Sequence, residues 1–240
     1  MWYKKEDCKI FKQGKDKYRM QRQQKEKQVK SDDKNIELLR LIAHLRDHID
    51  IHRIIGLNIK ELPANIISRA LLGHLSRSAH ESLAIYICKI FESSPRNDLN
   101  SIPGIIESLP STSLCAEQQH EFVAFGMKYG NHANFSEVRS YLKGTFGLFS
   151  GIHSKSLAQL KEFRDKIGAH SDSKATIKSL PSHAEFEIFF SFAKDFYELI
   201  SNSVHHVDPA PITSTVGRGF MKLIKSIGVL GAKFDYDKEV

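Results

Sequence analysis

Apolar residues recur at intervals of three and four along most of the chain, the spacing that lines one face of an α-helix. Ile36, Leu39, Ile42, Leu45 and Ile49 mark a first core helix running to about Ile55, with Ser31-Asp32-Asp33 as its N-cap. The longest pattern, from about Ala64 to Glu92, places Ile67, Leu71, Leu75, Ala79, Leu83, Tyr86, Ile87 and Ile90 on one face. Pro63 suits its first turn and Ser93-Ser94-Pro95 ends it. A short helix over Ser101 to Ser108 carries Pro103 in its first turn. Leu114 to Tyr129 follows, with Phe122, Phe125 and Met127 as core, and then Phe135 to Phe149, closed by Gly147 and Gly151.

Two further helices complete the pattern. One runs from about Ser154 to Gly168 with Leu157, Leu160, Phe163 and Ile167 inward. The other starts at Pro181-Ser182 and reaches about Val204, with Phe186, Phe189, Phe190, Ala193, Phe196, Tyr197 and Ile200 along it. An aromatic stripe at this spacing is core, and here it is the expected wall for the preceding helix. His205 and His206 close the long helix, where its negative end favours protonated imidazole. Val207 to Thr215, with Pro209 and Pro211, reads as a linker. Beyond it Phe220, Leu223, Ile224 and Ile227 oppose Arg218, Lys222 and Lys225, an amphipathic helix expected to dock on the bundle. No strand alternation, repeat, glycine-rich phosphate loop or paired-cysteine motif interrupts the series. The fold class is therefore all-α: a multi-helix up-down bundle over residues 35–206, a basic arm over 1–34, and a linker and amphipathic tail over 207–240.

Charge changes this picture at one end. The net charge is +7, yet residues 1–34 hold twelve Lys or Arg against six acids and so account for +6. Trp2, Tyr3, Phe11 and Tyr18 are interleaved with them, a composition that can grip phosphates and stack on unpaired bases, or simply be solvated. No apolar run reaches the length of about 18 residues that spans a bilayer, so no membrane span is expected. Cys8, Cys88 and Cys115 are too few and too scattered for a disulfide framework and fit a reducing cytoplasm.

Candidate chemistry is sparse. His44, His48 and His52 recur every fourth residue, which would align imidazoles for a metal. No cysteine or acidic cluster completes a ligand set, so a solvated stripe and no metal or other cofactor are expected. An arginine followed five or six positions later by a histidine occurs three times, at Arg46/His52, Arg69/His74 and Arg164/His170. Only the third sits at an expected helix end, in L-K-E-F-R-D-K-I-G-A-H-S-D-S-K (Leu160 to Lys174). On an unbroken helix Arg164 and His170 lie on different sides, about 9 Å apart along the axis. A glycine between them that leaves the helix in the left-handed conformation, as Gly168 is expected to do, would let His170 swing back. Asp165 could accept from either cation, and Lys161, Lys166, Ser171 and Lys174 would line the approach. An ordinary glycine-capped end with a basic last turn would use the same residues.

R-D-K-x-x-A-H-S-D, filled here by Arg164, Asp165, Lys166, Ala169, His170, Ser171 and Asp172, resembles the signature of the HEPN superfamily of helical proteins, in its abortive-infection and phage-defence branch. Two further stretches, C-K-I-F-E from Cys88 to Glu92 and N-S-I-P-G-I-I from Asn100 to Ile106, are similar to that branch in the same chain order. The resemblance implies a HEPN-type bundle that cleaves RNA without metal. Arg164 and His170 would be the catalytic pair and Asp165 the residue that orients the arginine. Two protomers would meet at the motif, so it also implies a homodimer, and an antitoxin or other regulatory partner is a further expectation. A HEPN-like module that binds RNA, a nucleotide or a protein without catalysis uses the same residues and is the alternative.

Overall fold

Five phenylalanines close together in sequence, Phe186, Phe189, Phe190, Phe192 and Phe196, become the centre of the molecule. All five are buried. The computed structural model describes residues 5–58, 66–93, 100–109, 114–169, 181–212, 214 and 216–226, with side chains from residue 32 of the first of these stretches and from residue 70 of the second; at the C-terminal side of the stretch ending at Ala169, side chains are described to Lys166. Among the described residues there are eight helices and no strand. They are α1 (Lys5–Asn58), α2 (Ile66–Phe91), α3 (Ile102–Ser108), α4 (Ala116–Lys128), α5 (Val138–Ile152), α6 (Ser154–Ala169), α7 (His183–Ser203) and α8 (Val216–Ser226). The expected all-α bundle is thus what forms.

Local chemistry sets several of the boundaries. At the start of α7 the Ser182 hydroxyl accepts from the Glu185 N–H at 3.3 Å, and the Glu185 carboxylate accepts from the Ser182 N–H at 2.8 Å. This reciprocal capping box satisfies two donors that the first turn leaves open. Ser101 caps α3 by accepting from the Gly104 N–H at 3.2 Å, with Pro103 in the first turn. Helix α1, by contrast, is not capped at Ser31-Asp32-Asp33. It passes through them, so the basic arm and the first core helix are one continuous element, and Asp32 instead lies 2.5 Å from the His205 ring beyond α7.

The core is built where α1, α2 and α7 pack together, with α6 against α2, α4 against α7 and α5, and α3 against α1 and α5. Phe192 is its hub. Its ring stacks on Phe149 of α5 at 3.9 Å between centroids and meets Tyr129 at 4.5 Å, Phe125 at 5.5 Å and Phe91 at 5.9 Å. The sequence stripe had omitted Phe192, because it lies one position off the regular spacing; α7 is enclosed on more sides than a single apolar stripe implies. Other expected core positions lie outside it. Ile36 is 52%, Met127 55% and Leu71 43% exposed, while the neighbouring Leu38, Gly126 and Leu72 are buried. At Gly126 a Cβ would stand 2.2 Å from the Tyr141 hydroxyl oxygen, so only glycine lets this tyrosine of α5 cross α4.

The tail docks as expected. Phe220 of α8 is buried with Ile54 and Ile55 of α1 and Leu72 of α2, a small cluster separate from the main core. Ser214, just before α8, donates to Asp47 of α1 at 2.9 Å. Leu223 stays 41% exposed. The Ile224 side chain and Ile227 lie outside the described residues, as do Pro63 and the Ile67 and Ile167 side chains.

Candidate functional site

Helix α6 is held by Leu160 and Phe163, both buried against the core. One position further, Arg164 emerges at the edge of that stripe with its side chain about one quarter exposed. It points across to the end of α2. There Glu92, the first residue after the helix, pairs with Arg164 through Nη1, and a second contact from Nη2 spans 3.5 Å. The guanidinium also donates from Nε and Nη2 to one oxygen of Asp165, at 3.0 and 2.7 Å. Lys161, one turn back on α6, stands 3.6 Å from Glu92.

These contacts fix the charges. Hydrogen bonding to Arg164 holds the Glu92 carboxyl below the usual range, and the same bond raises the already high arginine pKa, so both groups are ionised at all ordinary pH. Burial pushes the nearby Cys88 thiol up to about 11, which leaves it protonated and unreactive. Among the described residues, four of the five guanidinium N–H donors are engaged by carboxylates. Two cations and two carboxylates sum to zero. Lys166, exposed one turn beyond Glu162, donates to that carboxylate at 2.5 Å.

Arg164, Asp165 and Lys161 are therefore brought together, and Lys166 is turned to a neighbouring acid on its own helix. His170, Ser171 and Lys174 lie outside the described residues. Gly168 does not end the helix: α6 runs through it to Ala169, because a glycine near a helix end is permitted, not obliged, to leave it. In the sequence Glu92 stands only as the end of a helical pattern and of C-K-I-F-E, with no role attached. A signal was present, since a carboxylate against the negative end of a helix is unfavourable unless cations reach it.

The other two arginine–histidine spacings go elsewhere. Arg46 is 8% exposed and bonded to Asp50 of its own helix and Glu187 of α7. The Arg69 side chain lies outside the described residues, and His74 is exposed. Nor is the histidine stripe uniformly solvated. His44 and His48 lie against Tyr86, but His52 turns inward, 4.3 Å from the ring of His80 and 5.8 Å from that of His183. Among the described residues no three His, Cys, Asp or Glu are arranged to hold a metal. At His205 burial lowers the pKa, while the Asp32 carboxylate 2.5 Å away pulls it upward.

Burial, with His80 and His183 opposing a further charge, lowers the His52 pKa to about 4. Between that value and the ordinary imidazole pKa near 6.5, the unfolded chain binds the extra proton, so stability falls as pH drops through this window. After discounting for partial exposure, the expected loss is about 2 kcal/mol between pH 7 and 4. Urea unfolding at the two pH values measures it, and His52→Leu should flatten that part of the profile. An unchanged slope in His52→Leu would remove this account.

A family model described as AbiU2, of HEPN type, matches residues 30–216. No curated protein and no solved structure matches.

Proposed function

Because the chain belongs to the AbiU2 family of HEPN proteins, in their abortive-infection branch, we propose that it is a metal-independent endoribonuclease acting as a homodimer on RNA. The observation that carries this reading is Arg164, held by Glu92 and Asp165 at the last turns of α6, six residues before His170. RNA supplies its own nucleophile, the 2′-hydroxyl. The protein has to remove that proton, steady the charge on the phosphate and protonate the leaving 5′-oxygen. An arginine can hold the phosphate oxygens and an imidazole can move the proton. Base and acid must begin in opposite protonation states, so two His170 side chains brought together by two protomers divide the roles. Asp165 orients the guanidinium, and Lys161, with Lys166, Ser171 and Lys174, would guide the strand. An antitoxin or other regulator and a cytoplasmic setting are consistent with such an activity. The described residues contain no helix long and apolar enough to cross a membrane.

The test is incubation of 5′-labelled RNA with the purified chain in EDTA. The expected result is internal cleavage leaving 2′,3′-cyclic phosphate. RNA that stays intact across pH and salt would sink the reading.

One observation favours a second reading, a HEPN-like module that binds RNA, a nucleotide or a protein without cutting. The Arg164 donors are largely committed to carboxylates, which suits a positioned anion ligand more than a reacting one. Under either reading Glu92 competes with phosphate. Glu92→Gln adds one unit of positive charge at the site and is expected to tighten RNA binding about 3- to 10-fold at low salt, an advantage that fades as salt rises. Filter binding at two ionic strengths measures this, and weaker binding would show that Glu92 positions Arg164 without competing.

A further inference from the structure

Where α1 and α2 pack together, the inner part of the seam is aliphatic: Leu45 and Ile49 of α1 and Leu83 and Ile87 of α2 are buried in one cluster. Rings take over where the seam opens to solvent. Tyr86 of α2 is half-buried against two histidines of α1, with the His44 ring 5.4 Å away at 20° and the His48 ring 5.3 Å away at 43°. His48 is fixed in place, since its Nδ1 donates to the His44 carbonyl at 2.7 Å. His44 is exposed, so the pile of rings ends in solvent. Lys89 is exposed too, with its ammonium 5.9 Å from the centre of the Tyr86 ring, and among the described residues no carboxylate pairs with it.

This group is joined to the Arg164 site by the register of α2. The Glu92 N–H still donates to the Cys88 carbonyl at 2.8 Å, so helical spacing holds to Glu92. Tyr86, Lys89 and Glu92 are then successive members of one row, each about 4.5 Å further along the axis and turned by about 60°. The row starts beside α1, where Tyr86 meets His44 and His48, and ends beside α6, where Glu92 meets Arg164 and Lys161. Lys89 stands midway. From tyrosine to carboxylate the row covers about 9 Å of the axis.

We infer that Tyr86, His44, His48 and Lys89 form a second subsite for the RNA strand, in which an unpaired base extends the pile of rings and Lys89 takes a phosphate of the same strand. A flat aromatic face holds any base by stacking, and a cation beside it holds the backbone. The ligand is single-stranded, because bases within a duplex already have both faces covered. Tyr86 and Lys89 thus position the strand that passes on to Arg164.

The inference rests on RNA being the ligand at Arg164, as proposed above, whether or not the strand is cut. Its test uses a 2′-O-methyl single strand carrying 2-aminopurine, which lacks the attacking hydroxyl and so reports binding by the parent chain without cleavage. The fluorescence is expected to fall as the base stacks. Tyr86→Leu should remove that quench and weaken binding about tenfold, while Tyr86→Phe should keep both. His44→Ala, at an exposed position, should remove part of the quench, which keeps the test decisive if Tyr86→Leu disturbs the seam. Lys89→Ala should weaken binding about threefold at low salt and lower the salt slope by about one. A duplex of the same length should not respond to Tyr86→Leu. A strand that binds without a quench, or whose affinity and quench survive Tyr86→Leu and His44→Ala, would overturn the inference and leave the RNA reading standing. A chain that holds no RNA overturns both, and a quench at Tyr86 without cleavage of ordinary RNA counts against the nuclease alone.

Discussion

His170→Ala is expected to lower RNA cleavage by about 10²- to 10⁴-fold, the range that a positioned acid or base supplies. Arg164→Ala should cost a similar factor through loss of charge stabilisation at the phosphate. The two should be far from additive, because on the proposed reading the groups serve one transition state. Arg164→Lys separates positioning from charge. A lysine keeps the charge but cannot fork between Glu92 and Asp165, so most of the loss should remain. Stability must be measured beside rate, since Arg164 joins α6 to the end of α2 and its removal leaves Glu92 with only the longer contact to Lys161. Cleavage by His170→Ala at the parental rate, with the same cyclic phosphate product, would end the catalytic assignment; loss of binding together with cleavage would favour the non-catalytic module.

The helices were legible because their signals are local. Ser182 with Glu185, Ser101 with Pro103, and the phenylalanine spacing of α7 each declare an element within a few residues. What the chain does at Ser31-Asp32-Asp33 was not legible in that way. Those residues can cap a helix, but α1 continues through them, and Asp32 finds its partner at His205, far off in sequence. The candidate site divides along the same line. Arg164 and Asp165 are adjacent and were read together. Glu92 lies on another helix, and its part in holding Arg164 depends on how α2 meets α6. Spacing alone cannot report such a contact. The same limit applies to Gly168, whose freedom to leave a helix does not say that it will.

Arg46→Ala is expected to be the most damaging single change to stability, about 3–5 kcal/mol, because it strands a buried carboxylate. Arg46 has the same spacing to a histidine, His52, that drew attention to Arg164, yet its surroundings give it a different task. Asp50 is fully buried one turn away, 2.5 Å from the guanidinium, and Glu187 reaches Arg46 from α7 at 2.9 Å. Burial raises the Asp50 pKa, with Arg46 holding it back. At Glu187 burial also pushes upward, but His183, Arg46 and Arg53 outweigh it and keep that carboxyl low. Removing the arginine leaves both acids in a poorly solvated seam between α1 and α7. Asp50 would then take up a proton, and the stability loss should shrink as pH falls toward the carboxyl range. Arg46→Met with Asp50→Leu should recover most of the loss, since an apolar pair of similar volume avoids desolvating two charges. Urea unfolding of the single and double variants at pH 7 and 5 measures this. A loss below about 1 kcal/mol in Arg46→Ala would mean that water reaches the seam and screens Asp50 as it does a surface pair. Arg164 differs in that Glu92 and Asp165 meet it where solvent already has access. On the proposed reading its guanidinium exchanges a carboxylate for a phosphate at modest cost, which the buried Arg46 cannot do.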